Sequence, residues 1–172
     1  MIKRIAITGP ESTGKSWLAE RLAEHYNTSW VPEFARSYLE KTGQKYTPRD
    51  IEQIAKGQLE LERNIISQAK AVLFTDTEML VCKIWLDFVF GLKSNFIEKA
   101  LEEQNYDLYL LCDIDIDWQP DPLREHPHKR EELFVHYENL LIERGFPFVK
   151  VSGQGNIRLE NAVNAVNEIC GR

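Results

Sequence analysis

A complete phosphate-binding loop follows a short apolar run near the start of the chain. The run is Ile-Ala-Ile-Thr at residues 5–8, and Gly-Pro-Glu-Ser-Thr-Gly-Lys-Ser at residues 9–16 matches the Walker A pattern. Apolar residues at helical spacing come next, at Trp17, Leu18, Leu22 and Tyr26. A strand, this loop and a helix in that order bring backbone N–H groups to a helix N-terminus, where the helix dipole favours an anion. The chain is therefore predicted to be an α/β protein built around a nucleotide phosphate site.

Each loop residue assigned to the nucleotide has a physical reason. Gly9 and Gly14 let the backbone approach phosphate oxygens that a Cβ atom would obstruct. Lys15 can reach the β- and γ-phosphates as a point charge, and the Ser16 hydroxyl can ligate the Mg²⁺ that bridges them. The predicted nucleotide-binding residues are Gly9, Pro10, Glu11, Ser12, Thr13, Gly14, Lys15, Ser16 and Trp17. ATP and Mg²⁺ are the predicted cofactors.

Composition narrows the class of protein. The chain has 172 residues and is expected to form one domain over residues 1–172. Its residues are 28% charged and 43% hydrophobic, and no apolar run approaches the roughly 18 residues that a membrane span needs. The N-terminus runs straight into the first strand, so we expect a cytoplasmic protein with no signal peptide and no membrane partner. A formal charge of −6 argues against a nucleic-acid partner, while a homo-oligomer stays open.

Short apolar runs alternate with longer helical segments along the whole chain. Predicted strands cover residues 2–8, 29–32, 71–75, 106–112 and 148–152. Predicted helices, after the one that follows the loop, cover residues 33–41, 48–70, 79–90, 94–104, 129–144 and 157–169. Strands that alternate with helices imply a parallel sheet covered on both faces. The predicted fold is a P-loop kinase-like three-layer α/β/α architecture with a five-stranded parallel sheet and a lid segment.

Two carboxylates follow strand ends, where a parallel sheet places its ligand. Asp76 ends the third apolar run and is predicted to hold Mg²⁺ together with Ser16; the alternative is a helix cap before Met79. Glu33 stands at the tip of strand two, where it can orient or deprotonate an acceptor hydroxyl. Arg36, one helical turn later, is predicted to hold a phosphate or hydroxyl nearby. The alternative for Glu33 and Arg36 is a solvated ion pair at a helix start.

The polar segment at about residues 113–130 is predicted to be a lid, because it is too polar for core and too long for a plain connector. Arg124 is the predicted cation that closes over the phosphates, and Trp118 is predicted to stack on a planar ring; the alternative is a mobile acidic loop. Trp85 belongs to an apolar stripe on a predicted helix, so the alternative to a substrate contact is a position in the hydrophobic core. The predicted catalytic residues are Lys15, Glu33, Asp76 and Arg124, and the predicted substrate-binding residues are Glu33, Arg36, Asp76, Trp85 and Trp118.

Several motifs in this order resemble one known family. They are the loop at residues 9–16, Trp-Val-Pro-Glu-Phe-Ala-Arg at 30–36, Phe-Thr-Asp-Thr at 74–77 with Lys-Ile-Trp at 83–85, and Asp-Ile-Asp-Ile-Asp-Trp-Gln-Pro-Asp at 113–121 with Arg124. The combination is similar to the ribosylnicotinamide kinase domain of NadR proteins. Members of that family often carry a DNA-binding segment and an adenylyltransferase domain, neither of which we expect here.

The resemblance implies a P-loop kinase that uses ATP and Mg²⁺ to phosphorylate the 5′-hydroxyl of nicotinamide riboside, which gives nicotinamide mononucleotide. It implies that Lys15 and Ser16 hold the ATP phosphates and the magnesium, and that the carboxylates after strands two and three face the riboside. The family lid reads Pro-Asp-Gly-Leu-Arg, whereas residues 120–124 read Pro-Asp-Pro-Leu-Arg. Two alternatives stay open: a kinase for another nucleoside or riboside, and a regulatory nucleotide-binding ATPase switch without kinase activity.

Overall fold

Five parallel strands form one sheet within residues 2–43 and 45–171, the part of the chain that the computed structural model describes. The strands are β1 Lys3–Thr8, β2 Trp30–Val31, β3 Val72–Asp76, β4 Leu108–Cys112 and β5 Phe148–Val151, in the spatial order β2-β3-β1-β4-β5. Met1 and Arg172, the ends of the predicted domain, lie outside the described residues, as does Gln44. The predicted five-stranded parallel sheet is confirmed.

Helices cover both faces of the sheet. They are α1 Lys15–Tyr26, α2 Phe34–Thr42, α3 Pro48–Ile65, α4 Met79–Phe90, α5 Asn95–Glu103, α6 Arg130–Glu143 and α7 Asn156–Cys170. On one face, apolar side chains of α2 to α6 pack with Ala6, Tyr109 and Leu111 of the sheet. On the other face, α1 and α7 pack with Ile5, Ile7, Phe74 and Leu110, among others. Successive side chains of a strand point to opposite faces of the sheet, so the strands contribute to a hydrophobic core on each face. The predicted three-layer architecture is confirmed.

The boundaries of α3 correct one prediction. Thr47 begins the helix with a capping box to Asp50, as the Thr-Pro signal indicates. The helix ends at Ile65, however, and a 3₁₀ turn at Ile66–Gln68 follows it, so the predicted helix over residues 48–70 is too long. The apolar repeat stops at Ile66, and residues 67–70 offer no large apolar side chain that would hold another helical turn against the core.

The strand order places three chain segments at one end of the sheet. β1 lies in the centre with β3 on one side and β4 on the other, so the loops after these strands meet. Parallel sheets bind ligands at this kind of switch point, outside the carboxyl ends of the strands. Within the described residues, no helix is long and apolar enough to cross a bilayer.

Candidate functional site

The phosphate-binding loop turns from β1 into α1 through two glycines with positive φ. Gly14, the residue before α1, has φ 76°, a left-handed value that suits glycine. Gly9 has φ 133°, and a Cβ atom there would lie 3.0 Å from the carbonyl oxygen of Cys112. The Lys15 Nζ donates to the Pro10 carbonyl at 2.7 Å, so the ammonium group is held over the loop. The loop therefore combines backbone donors at a helix N-terminus with a poised cation.

Asp76 and Ser16 meet beside the loop. The Ser16 hydroxyl donates to Asp76 Oδ2 at 2.5 Å, and Asp76 is fully buried at the end of β3. Burial raises the pKa of Asp76 to about 7; the charge of Glu33 adds to this rise, and Lys15 and the Ser16 bond oppose it. A carboxylate and a hydroxyl are the hard oxygen ligands that Mg²⁺ prefers, and Mg²⁺ takes its remaining ligands from water and phosphate. This donor set therefore suits Mg²⁺ at a nucleotide phosphate site.

Glu33 lies next to Asp76, as the strand ends predict. It precedes α2 without capping it, so its carboxylate is free to face the site. The Thr77 hydroxyl lies 3.4 Å from both Glu33 Oε1 and Asp76 Oδ1. Thr77 itself has φ 67°, an uncommon value for a β-branched residue. The structure thus brings a half-buried and a fully buried carboxylate to one threonine hydroxyl beside the phosphate loop.

The segment between β4 and α6 crosses over the loop, where the sequence predicts a lid. Its residues 113–129 contain no helix or strand in the described structure. The Glu11 carboxylate accepts the backbone N–H groups of Glu125 and His126 at 3.1 and 3.0 Å. The Ser12 hydroxyl accepts the N–H of Gln119 at 2.8 Å and lies 3.4 Å from Arg124 Nη1. Loop side chains therefore hold this segment over the phosphate site, with Arg124 on its inner side.

One cavity of about 270 Å³ connects the loop to an aromatic wall on α4. The residues that line it are Gly9, Pro10, Glu11, Ser12, Thr13, Gly14, Lys15, Ser16, Trp17, Glu33, Ala35, Arg36, Leu39, Val81, Ile84, Trp85, Phe88, Val89, Leu123, Arg124, Glu125, His126, Leu133 and Tyr137. All nine predicted loop residues line the cavity, together with Glu33 and Arg124. A phosphate-binding end and a mostly apolar end with a few placed polar groups are typical of small-molecule sites.

Trp85 and Arg36 both face this cavity and both have protein partners. The Trp85 indole N–H donates to the Tyr46 hydroxyl at 2.9 Å, and that hydroxyl donates in turn to Glu125 of the lid segment. Arg36 Nη2 donates to Asp121 Oδ2 at 3.1 Å, so its guanidinium ties α2 to the same segment. Trp85 is partly buried, packs against the core on this face of the sheet and also lines the cavity, so its position fits both the predicted ligand contact and the core alternative.

Trp118 lies apart from the other predicted substrate-binding residues. It is not among the described residues that line the cavity, and its ring centroid lies 6.0 Å from Arg130 Cζ. Arg130 Nη2 donates to the carbonyls of Ser12 and Ile116 at 3.2 and 2.9 Å. The Trp118 ring therefore lies beside an arginine that is bound to the phosphate loop, and the structure does not bring it to the cavity.

Arg158 is a buried residue of the site that the sequence reasoning missed. Only 2% of its surface is exposed, and its guanidinium donates to the carbonyls of Thr13 at 2.9 Å, Gly153 at 2.8 Å and Asp113 at 3.2 Å. It also pairs with Asp115. One side chain on α7 thus joins the phosphate loop to the segments after β4 and β5. Its position in the repeat with buried Ala162, Ala165 and Val166 was a usable signal, since a cation in an apolar stripe needs buried partners.

The parallel sheet, the loop after β1 and the carboxylate after β3 define a P-loop nucleotide-binding protein with a kinase-like α/β/α fold. Residues 4–158 match the sequence profile of the AAA domain family AAA_28, and the chain belongs to this family.

Curated relatives share sequence with almost the whole chain. The chain is 26% identical over 181 aligned residues to the trifunctional NAD biosynthesis/regulator protein NadR of Escherichia coli (strain K12), a match that covers 99% of this chain and 43% of that protein. The protein of the same name from Salmonella typhimurium is 27% identical over 148 residues, covering 83% of this chain and 35% of the relative. The chain thus spans less than half the length of these relatives.

Solved structures share the fold. A NadR protein in complex with NR superposes with a TM-score of 0.83 at 23% identity, covering 99% of this chain and 50% of that one. A NadR protein in complex with NAD and AMP-PNP superposes with a TM-score of 0.80 at 24% identity, with the same coverage of both chains. Deoxyadenosine kinase from M. mycoides superposes with a TM-score of 0.68 at 15% identity, and the match covers 96% of this chain and 99% of the other. These likenesses establish the P-loop kinase-like fold.

Proposed function

We propose that the protein is an ATP-dependent kinase that phosphorylates the 5′-hydroxyl of nicotinamide riboside and releases nicotinamide mononucleotide. The observation that carries the proposal is the single cavity in which Lys15 of the phosphate loop and Glu33 of the β2 tip both lie. Phosphoryl transfer needs a phosphate cradle and an acceptor site in one enclosed space. The relatives named for NAD biosynthesis and the related fold solved with NR support this choice of acceptor.

The residues at the loop have separate roles in this proposal. Backbone N–H groups of the loop and the Lys15 ammonium bind the ATP phosphates, so Lys15 leaves the Pro10 carbonyl when nucleotide binds. Ser16 and Asp76 would hold Mg²⁺. When bound, Mg²⁺ supplies positive charge that neutralises the phosphate oxygens during transfer.

The acceptor side has its own residues. Glu33 accepts the proton of the riboside 5′-hydroxyl while the hydroxyl oxygen bonds to the γ-phosphorus of ATP and ADP leaves. Arg124 neutralises charge on the transferring group, and Arg36 holds the acceptor on the opposite wall. Trp85 lies against the nicotinamide ring at the aromatic end of the cavity, whereas Trp118, which does not line the cavity, is given no contact with the riboside.

The first test is product analysis. The purified protein is incubated with Mg·ATP and nicotinamide riboside, and mononucleotide and ADP are measured by mass spectrometry. We expect equal amounts of both products from the wild type, none from Lys15→Ala, and from Glu33→Gln a loss of turnover with nucleotide binding intact. A wild-type rate for Glu33→Gln would overturn the role given to this carboxylate.

A panel of acceptors tests the substrate. Product from a deoxynucleoside or another riboside, in place of nicotinamide riboside, would make the protein a kinase with a different acceptor. ATP hydrolysis that no riboside changes would favour the regulatory switch. The proposal places the reaction in the cytoplasm, where thiols such as the buried Cys82 and Cys112 stay reduced.

A further inference from the structure

Gln58 on α3 is a buried polar side chain that does not line the cavity and yet touches both strand tips of the site. It is 2% exposed. Its Oε1 accepts the backbone N–H of Phe34 at 2.7 Å, and its Nε2 donates to the carbonyls of Pro32 at 3.3 Å and Asp76 at 3.2 Å. An amide offers one acceptor and two donors in this fork, and all three contacts match that chemistry.

These contacts replace the strand pairing where it stops. The parallel pairing of β2 with β3 ends at Val31 and Thr75, and the next residue, Pro32, has no N–H to continue it. Glu33 follows immediately. The Gln58 amide holds the peptide group before Glu33, through the Pro32 carbonyl, and the peptide group after it, through the Phe34 N–H. Both backbone neighbours of Glu33 are therefore fixed to α3.

The same amide also bonds the backbone of Asp76, the other carboxylate residue. Its third bond reaches the carbonyl of Asp76, so one side chain sets the distance between the two strand tips. The two carboxylates repel each other when both are ionised, and the Gln58 bonds oppose this repulsion beyond the last paired residues of β2 and β3. α3 also packs tightly on the residue that follows Glu33, because a Cβ atom at Gly57 would lie 2.2 Å from the Phe34 ring.

We propose that Gln58 is a positioning residue that holds the Glu33 carboxylate at its working distance from Asp76 and the phosphate loop. The inference rests on the proposed function in one respect, the role of Glu33 toward the acceptor. A misplacement of about 1 Å in such a group reduces turnover by about 100-fold.

The test compares Gln58→Met with Gln104→Met. Methionine keeps the length of the side chain and removes every hydrogen bond. Gln104 is also a buried glutamine, 7% exposed, and it follows α5 near the opposite end of the sheet. We expect kcat of Gln58→Met to fall by 10- to 100-fold with KM for ATP within about twofold of wild type. Gln104→Met should keep the wild-type kcat per folded molecule.

A second measurement reports the tether without any turnover. The Phe34 amide at the start of α2 has Gln58 as its acceptor, so hydrogen–deuterium exchange should be slow there in the wild type and fast in Gln58→Met. If Gln58→Met does not fold, Gln58→Glu, which keeps the acceptor and loses both donors, takes its place and should show low kcat with Phe34 still protected.

The outcomes separate the two proposals. A wild-type kcat in either Gln58 variant, or unchanged exchange at Phe34 in Gln58→Met, overturns the positioning role. If the wild type makes no mononucleotide, the proposed function fails, and exchange at Phe34 still decides whether Gln58 holds the Glu33 backbone.

Discussion

The Asp76 carboxyl group is fully buried and has a second carboxylate nearby, and both conditions favour its protonated form. Its pKa is raised to about 7, first by burial and then by the charge of Glu33. Only the ionised form binds a cation well. We therefore expect the affinity for Mg·ATP to increase as the pH rises from 6 to 8, measured by titration calorimetry.

The Glu33→Gln variant is the control for this pH dependence. It removes the negative charge that helps to raise the pKa of Asp76, so its affinity should reach a plateau at lower pH than that of the wild type. The nucleotide phosphate also titrates in this range, but it contributes equally to both proteins. Identical pH profiles for the two proteins would show that Glu33 does not influence Asp76.

The sequence predicts some residues of the site and not others. The loop could be located because its chemistry is encoded in a short motif, and Asp76 and Glu33 because each stands at the end of a predicted strand. Gln58 and Arg158 were missed because their partners are backbone carbonyls and amides of distant segments, which no local pattern encodes. Arg36 was assigned to the acceptor, and its ion pair with Asp121 depends on how the lid segment folds back.

The lid segment is held by the phosphate loop as well as by its own residues. Two lid N–H groups donate to the Glu11 carboxylate, and hydrogen bonds to a charged acceptor are worth about 1.5–3 kcal/mol each. Removing them should free the lid. We expect Glu11→Ala to raise KM for ATP by about tenfold or more and to speed hydrogen exchange at Glu125 and His126.

Two further variants isolate this effect. Glu11→Gln keeps an acceptor oxygen, so its exchange at the lid should lie between those of the wild type and Glu11→Ala. His128→Ala changes an exposed lid residue and should leave both quantities unchanged. Slow exchange at Glu125 in Glu11→Ala would mean that Arg36, Tyr46 and the loop hydroxyls hold the lid without this carboxylate.

Among the elements, those with strong stop signals were predicted best. α4 has the predicted bounds because Gly91 ends it in the left-handed conformation. α3 was predicted too long because its C-terminal end has no glycine or proline, and only the loss of the apolar repeat marks it. The predicted strand over residues 106–112 begins later, at Leu108; at Asp107 the side-chain carboxylate, and not a backbone carbonyl, accepts the Arg4 N–H.

At the scale of the whole molecule, two buried or partly buried sets of carboxyl groups with shifted pKa values have opposite effects on how stability depends on pH. Burial alone would raise the pKa of Asp107, but hydrogen bonds from Lys3 and the Arg4 backbone outweigh it and lower that pKa. The stability that such a group contributes is present above its unfolded pKa and is lost as the pH falls through its folded pKa. This loss belongs to the acid range, below about pH 4.

Glu78 belongs to the opposite set. It is fully buried before α4, where it accepts the Leu80 N–H, and burial raises its pKa to about 7. A carboxyl group whose folded pKa is raised contributes stability that is fully present below its unfolded pKa, about 4.3, and is lost as the pH rises through about 7. Asp76 has the same sign. The ligand-free protein should therefore lose stability between about pH 4.3 and 7, above the acid range in which carboxylates with a lowered pKa change charge.

Glu78→Gln tests this balance, because glutamine keeps the acceptor for Leu80 and cannot ionise. We expect the Tm of this variant, relative to that of the wild type, to rise between about pH 4.3 and 7 and then to level off, which corresponds to a change on the order of 3 kcal/mol in the free energy of unfolding. Glu20→Gln, an exposed change on α1, should follow the wild type at every pH. A difference in Tm that stays constant with pH would mean that Glu78 remains in one protonation state, so that the pH sensitivity of the ligand-free protein lies with Asp76 at the phosphate site.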